Sequence, residues 1–100
     1  MSDLVRSLVF VPGNNPRFLE KAKSLPADIV CFDLEDSVQD KEKKKARVLI
    51  KNTLKQRNKY SPDVFVRTNS PESGLIEADL KEIVQKGIDG IVIPKVNSAN

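Results

Sequence analysis

The segment Ile29-Val30-Cys31-Phe32-Asp33-Leu34-Glu35-Asp36 restricts the fold more than any other part of the chain. An unbroken apolar run is the mark of a strand buried on both faces, as in a parallel sheet covered by helices. The run then turns acidic, with Asp33, Glu35 and Asp36 crowded at its end. In α/β folds the C-terminal ends of parallel strands are where chemistry is placed. Asp33 and Glu35 are two apart, so on an extended chain they share a face. Like charges so close raise one another's pKa or share a cation. The plainer alternative is that Asp36 starts the next helix and the other carboxylates are solvated.

The rest of the chain supplies similar units around this one. Leu4 to Val11 reads as a strand, with Leu8-Val9-Phe10-Val11 as its buried part. Pro12-Gly13-Asn14-Asn15 reads as a loop, Asn15 as an N-cap and Pro16 as the first residue of a short helix ending near Leu25-Pro26. The second strand is Asp28 to Leu34. From Asp40 to about Arg57 the pattern is helical, with Ala46, Leu49, Ile50 and Leu54 on one side and a Lys-rich face opposite. Asp63-Val64-Phe65-Val66-Arg67 is a third strand, followed by a loop over residues 68–74. Leu75, Ala78, Leu80, Ile83 and Val84 give a third helix its apolar side, with Gly87 as its cap, and Gly90 to Val96 is a fourth strand.

Strand-helix alternation of this kind permits parallel neighbours joined by right-handed crossovers. Four strands are half of an eight-stranded barrel of about 250 residues, whereas an open flavodoxin-like sheet needs about five strands in a switched order. Alternation alone leaves both architectures open. In either case the chain reads as part of a larger domain.

Composition narrows the function classes. The formal charge of +3 rests on segments such as Lys41-Glu42-Lys43-Lys44-Lys45, which read as a solvated helix face. No basic stripe alternates with stacking aromatics, so nucleic acid is not expected as a partner. The single cysteine, Cys31, lies in the most apolar strand and reads as core. The chain has no histidine, so any general base in it must be a carboxylate or a lysine. No stretch reaches the length of a membrane span and the first residues lack a signal-peptide pattern, which leaves a cytoplasmic protein as the expectation.

Five stretches in order carry a resemblance to a known family. They are Arg6-Ser7-Leu8-Val9-Phe10-Val11-Pro12-Gly13, Asn15-Pro16-Arg17-Phe18-Leu19-Glu20-Lys21-Ala22, Asp33-Leu34-Glu35-Asp36-Ser37-Val38, Val66-Arg67-Thr68-Asn69 and Ile93-Pro94-Lys95-Val96. Together they resemble the citrate lyase beta subunit family, within the HpcH/HpaI aldolase superfamily that also holds malyl-CoA and citramalyl-CoA lyases. The resemblance implies a (β/α)8 TIM barrel. Residues 1–100 would be the N-terminal part of its lyase domain, about four βα units.

It implies cleavage of a carbon–carbon bond in a 3-hydroxy-3-carboxyacyl thioester of the citryl type, giving an acetyl thioester and an oxo acid. The cofactor would be Mg2+, with its principal ligands beyond residue 100. The substrate would be an acyl-CoA or acyl-carrier thioester, and the assembly a homo-oligomer, a trimer or hexamer. Arg67 matches the family's substrate-binding arginine, whose planar fork suits a carboxylate. Glu35 and Asp36 match groups near the metal waters or partners holding Arg67. Arg17 matches a region that contacts the nucleotide or phosphate part of the thioester, and Lys95 lies close to the site. Each has a plainer role: Arg67 in a structural ion pair with Glu35 or Asp36, Arg17 solvated on a first turn, Lys95 in a barrel-rim salt bridge. Alternative functions are a malyl-CoA or citramalyl-CoA lyase, a thioesterase on the same intermediates, or a non-catalytic half-barrel that binds a partner. The isolated chain is expected to be inactive.

Overall fold

A computed structural model of the chain describes residues 7–84 and 88–94. Four parallel strands, β1 (Leu8–Pro12), β2 (Ile29–Asp33), β3 (Asp63–Arg67) and β4 (Gly90–Val92), form one sheet in the order β1-β2-β3-β4. Between them run α1 (Pro16–Lys21), α2 (Lys43–Leu54) and α3 (Ile76–Ile83), with short 3-10 turns at Ala22–Ser24, Asp40–Glu42, Arg57–Lys59 and Pro71–Ser73. Spatial order follows sequence order without a reversal, which removes the switched flavodoxin-like sheet. This is a partial (β/α)8 barrel.

The strand register explains why every helix lies on one side. Val9, Val30 and Val64 are level with one another, as are Val11, Phe32, Val66 and Ile91. Of these rows, Val11, Val30, Phe32, Val64 and Val66 join Leu19 and Ala22, then Ala46, Ile50 and Leu54, and Ile83 in one buried cluster. Each large apolar side chain fully buried there contributes about 1.5–3 kcal/mol. Tyr60 closes the cluster from below: its ring meets Phe32 edge-on at 5.7 Å, and its hydroxyl donates to the Leu19 carbonyl at 2.5 Å.

The opposite face carries a second row, Phe10, Cys31, Phe65 and Gly90. Phe10 is 46% exposed while Cys31 is fully buried. Gly90 is the small member of this row by necessity, since a Cβ there would stand 2.5 Å from the Phe65 ring. Gly13 is constrained in the same way at the sheet's other end. Its amide donates to the Asp33 carbonyl at 2.9 Å, and a Cβ would stand 2.7 Å from that oxygen and 2.6 Å from Ile50.

Local signals set the helix ends. Asn15 caps α1 by accepting the Phe18 amide at 3.2 Å, and Pro16 fills the first helical position. Several boundaries differ from the sequence reading. The first strand, expected over Leu4 to Val11, runs from Leu8 to Pro12, and residues 4–6 lie outside the described residues. The helix expected from Asp40 starts as a 3-10 turn and becomes α-helical only at Lys43, where no side chain caps it. The fourth strand ends at Val92, and Pro94 follows without an amide for a ladder. The second strand stops at Asp33, one residue short of Leu34. Gly87 and the last two residues of the expected fourth strand lie outside the described residues. No helix among the described residues is long and apolar enough to cross a membrane.

Candidate functional site

Parallel pairing places Pro12, Asp33, Arg67 and Val92 side by side at the C-terminal rim of the sheet. Asp33 and Arg67 are direct register partners, and their side chains join as a two-point pair. Arg67 Nε donates to Asp33 Oδ1 at 2.9 Å and Nη2 donates to Oδ2 at 2.8 Å. The Arg67 guanidinium also lies over the Phe10 ring, 4.2 Å from its centroid. A carboxylate in its plane and an aromatic face beneath it leave the guanidinium little freedom to turn.

Asp33 is 1% exposed and has no lone pair to spare. Besides Arg67, its oxygens accept the amides of Glu35 and Ser37, each at 2.9 Å, and the Ser37 hydroxyl at 2.8 Å. Burial alone would push this carboxyl up. The Arg67 hydrogen bond and those from Glu35 and Ser37 outweigh burial and hold it well below the usual carboxylate range. Of the two outcomes expected for carboxylates so close, the shared cation is the one found: Arg67 pairs with Asp33 and approaches Glu35, and the Asp33 carboxyl is lowered rather than raised. Its hydrogen bond to Asp33 in turn holds the Arg67 guanidinium protonated beyond its ordinary range.

The same contacts turn the chain. Once the Asp33 carboxylate takes the amides two and four residues on, strand geometry ends and Glu35 no longer follows the strand's alternation. Glu35 comes within 3.9 Å of Arg67 Nε, a loose approach beside the Asp33 pair. The structural partner expected for Arg67, Glu35 or Asp36, is thus mainly Asp33. Asp36 is exposed and makes no hydrogen bond or ion pair among the described residues. It does not start the next helix either, because Gln39 holds the position before the 3-10 turn. Arg17 is exposed on α1, likewise without a polar partner among the described residues. Lys95 lies outside the described residues.

Two neighbouring loops are fastened from the helix layer. Asp79, fully buried on α3, accepts the Asn69 amide and side-chain NH2, both at 2.8 Å, and Arg47 Nε of α2 at 2.9 Å. That network fixes the loop immediately after Arg67. Lys43 of α2 donates to the carbonyls of Leu34 and Glu35 at 2.9 and 3.0 Å. The Lys-rich run is therefore not wholly solvated, since Lys43 is only 7% exposed between the exposed Lys41 and Lys44.

Chemically, Arg67 keeps one bidentate edge. Asp33 fills the Nε/Nη2 side, and Nη1 has no hydrogen-bond partner among the described residues. The Nη1/Nη2 edge matches the two oxygens of a carboxylate. Asp33 is unsuited to be a base or a metal ligand, with both oxygens occupied and its proton affinity low. Among the described residues no group of three or more acidic, Cys or His side chains is arranged to hold a metal ion. Cys31 is a buried thiol pushed up to about 12 by desolvation, which makes it unreactive.

Sequence reasoning took Asp33 as part of the acidic strand end but gave it no role at Arg67, and it did not place Phe10 among the site residues. The signal for Asp33 was its level position beside Arg67, which only the strand register reveals. Phe10 had none beyond being two residues before Pro12 on the first strand.

Residues 6–100 match the family described as HpcH/HpaI aldolase/citrate lyase. The chain is 41% identical over 96 residues to a citrate lyase subunit beta of Leuconostoc mesenteroides subsp. cremoris, covering 96% of this chain and 32% of that protein. It is 42% identical over 94 residues to a (3S)-malyl-CoA thioesterase of Cereibacter sphaeroides, covering 94% of this chain and 33% of that protein. It is 37% identical over 93 residues to a mitochondrial citramalyl-CoA lyase of Rattus norvegicus, covering 91% of this chain and 28% of that protein. The chain spans about a third of the length of these curated relatives.

Proposed function

The chain belongs to the HpcH/HpaI aldolase/citrate lyase family, and from that premise we propose that it supplies the first strands of a cytoplasmic carbon–carbon lyase acting on a 3-hydroxy-3-carboxyacyl thioester. The observation that carries this reading is an arginine at a strand's C-terminal end, locked by Asp33 and Phe10 with one bidentate edge left over. That edge binds the substrate carboxylate in two hydrogen bonds and orients the bond to be broken. Asp33 is a positioning residue. Glu35, the next carboxylate to the arginine, would hold a water beside the bound substrate.

Charge supports a cation at the same rim. Three carboxylates, Asp33, Glu35 and Asp36, face two cations, Arg67 and Lys43, which leaves this rim one charge negative where an anionic substrate must sit. A magnesium ion, if bound there, would add positive charge and could polarise the oxygen that becomes the carbonyl. The described residues do not form its coordination sphere, so its principal ligands would come from outside them. For that reason the 100 residues alone are expected to turn over no substrate.

A second reading is hydrolysis of the thioester, favoured by the 42% identity to a (3S)-malyl-CoA thioesterase. Both are tested by supplying malyl-CoA, citramalyl-CoA and a citryl thioester to the protein that carries this segment within a whole barrel, with magnesium or with chelator. Release of an acetyl thioester with an oxo acid supports the lyase, and release of free thiol with an intact hydroxy acid supports the thioesterase. Neither product from any of the three would end both readings.

A further inference from the structure

Lys43 is the one lysine of its run that is turned inward, 7% exposed at the start of α2. A buried ammonium is ordinarily matched by a carboxylate. Here no ion pair is present among the described residues, and its partners are two main-chain carbonyls, those of Leu34 and Glu35. Neither carbonyl has another donor among the described residues. These oxygens belong to the turn whose amides, from Glu35 and Ser37, point the other way and cap the Asp33 carboxylate. The turn is thus held on both sides, amides on an anion and carbonyls on a cation. Arg47, one helical turn further along α2, reaches the Asp79 carboxylate that fixes Asn69 after β3. Glu42, just before α2, accepts from Asn14 of the first loop at 3.4 Å.

We propose that Lys43 is a positioning residue for the rim site: by holding the Leu34 and Glu35 carbonyls it keeps the Glu35 and Ser37 amides on Asp33, and so keeps Arg67 aimed. The chain of contacts is Lys43 to the turn, the turn to Asp33, and Asp33 to Arg67. Lys43 makes no hydrogen bond or ion pair to Asp33 or Arg67 among the described residues and is given no direct part in binding. The proposal concerns the geometry of the pair and stands whichever reaction the barrel performs.

The test uses amide hydrogen exchange by NMR on the purified protein and on Lys43→Met, Lys43→Arg and Lys44→Met. Lys43→Met should speed exchange of the Glu35 and Ser37 amides by about tenfold or more, as expected when charge-assisted hydrogen bonds to a turn are lost. Amides in the middle of α2 should keep their rates, and the Asp33 carboxyl should titrate at higher pH than in the wild type. Lys43→Arg, which keeps donors for both carbonyls, should restore most of the protection, and Lys44→Met should change nothing. Unchanged Glu35 and Ser37 exchange in a folded Lys43→Met overturns the proposal. So does equal acceleration throughout α2 and β2, which a merely stabilising role would give. Should the Met variant not fold, the wild-type ammonium decides. Its protons should exchange about tenfold slower than those of Lys44 and couple to the Leu34 and Glu35 carbonyl carbons. Exchange as fast as Lys44 overturns it. No readout depends on turnover, so failure of the lyase reading leaves this result intact.

Discussion

Replacing Asp33 with asparagine keeps the side chain's shape and removes its charge. The native carboxylate accepts five hydrogen bonds, two on Oδ1 and three on Oδ2. An amide oxygen can keep the Oδ1 pair, from Glu35 and Arg67 Nε. The NH2 group then faces the Ser37 amide and Arg67 Nη2, both donors, while the Ser37 hydroxyl can rotate and accept. A buried donor left without a partner costs about 1–3 kcal/mol, and breaking a buried ion pair from one side about 3–5 kcal/mol. The Arg67 side chain is 21% exposed, so water relieves part of its loss. The expected cost of Asp33→Asn is therefore about 3 kcal/mol, a large share of a small domain's total of about 5–15 kcal/mol.

Urea unfolding followed by circular dichroism measures it, with Asp36→Asn as an exposed control that should move stability by less than about 0.5 kcal/mol. A cycle with Arg67→Met should return a coupling of at least about 1.5 kcal/mol. The sign with pH follows from the depressed Asp33 carboxyl. Below about pH 4 the unfolded chain binds the proton first, so wild-type stability falls as pH drops further, and Asp33→Asn lacks that component. A cost below about 1 kcal/mol, or an equal cost for Asp36→Asn, would falsify the assignment of Asp33 as the anchor of Arg67.

In the whole barrel, Arg67→Lys keeps the charge but loses the fork and the stack on Phe10, and kcat/KM should fall by roughly thirty- to a thousandfold, about 2–4 kcal/mol. Steady-state kinetics at matched melting temperature checks it, and an unchanged value would leave Arg67 a structural partner only. Gly13→Ala drives a methyl into the Asp33 carbonyl and Ile50; thermal melts should show a loss of about 1–3 kcal/mol. At alkaline pH, burial pushes the Tyr60 hydroxyl up to about 12, with Glu20 adding to the shift, and burial pushes the Cys31 thiol up to about 12. The unfolded chain loses these protons first, so urea midpoints should fall as pH rises from about 9 to about 12, and Tyr60→Phe should flatten the upper part of that fall.

Where a local signal was strong, the chain could be read directly. The run from Ile29 gave the central strand, Asn15-Pro16 gave the helix start, and the short segment Asp63 to Arg67 gave β3. The order of strands needed the family resemblance, because periodicity carries no information about which strands are neighbours. The site was legible as an acidic strand end facing an arginine, but the pairing was misassigned. Two-residue spacing holds only while the strand lasts, and Asp33 ends it by taking the amides of its own turn. Lys43 was hidden in the Lys-rich run, since inward and outward lysines differ by a fraction of a helical turn. The polar ties at the opposite end, Arg57 with Asp89 and Asp28 with Ser7, carried no periodic pattern at all.

The glycine at position 90 has a consequence for how sequences of this kind can drift. Its missing side chain is the space occupied by the edge of the Phe65 ring, on the adjacent strand and far along the chain. A larger residue at 90 requires the Phe65 ring to give way or a smaller residue at 65. Gly90→Ala alone should therefore be harsher than the same change combined with Phe65→Leu. Among sequences sharing this sheet, the two columns should exchange bulk with one another while the rim pair beside them stays fixed.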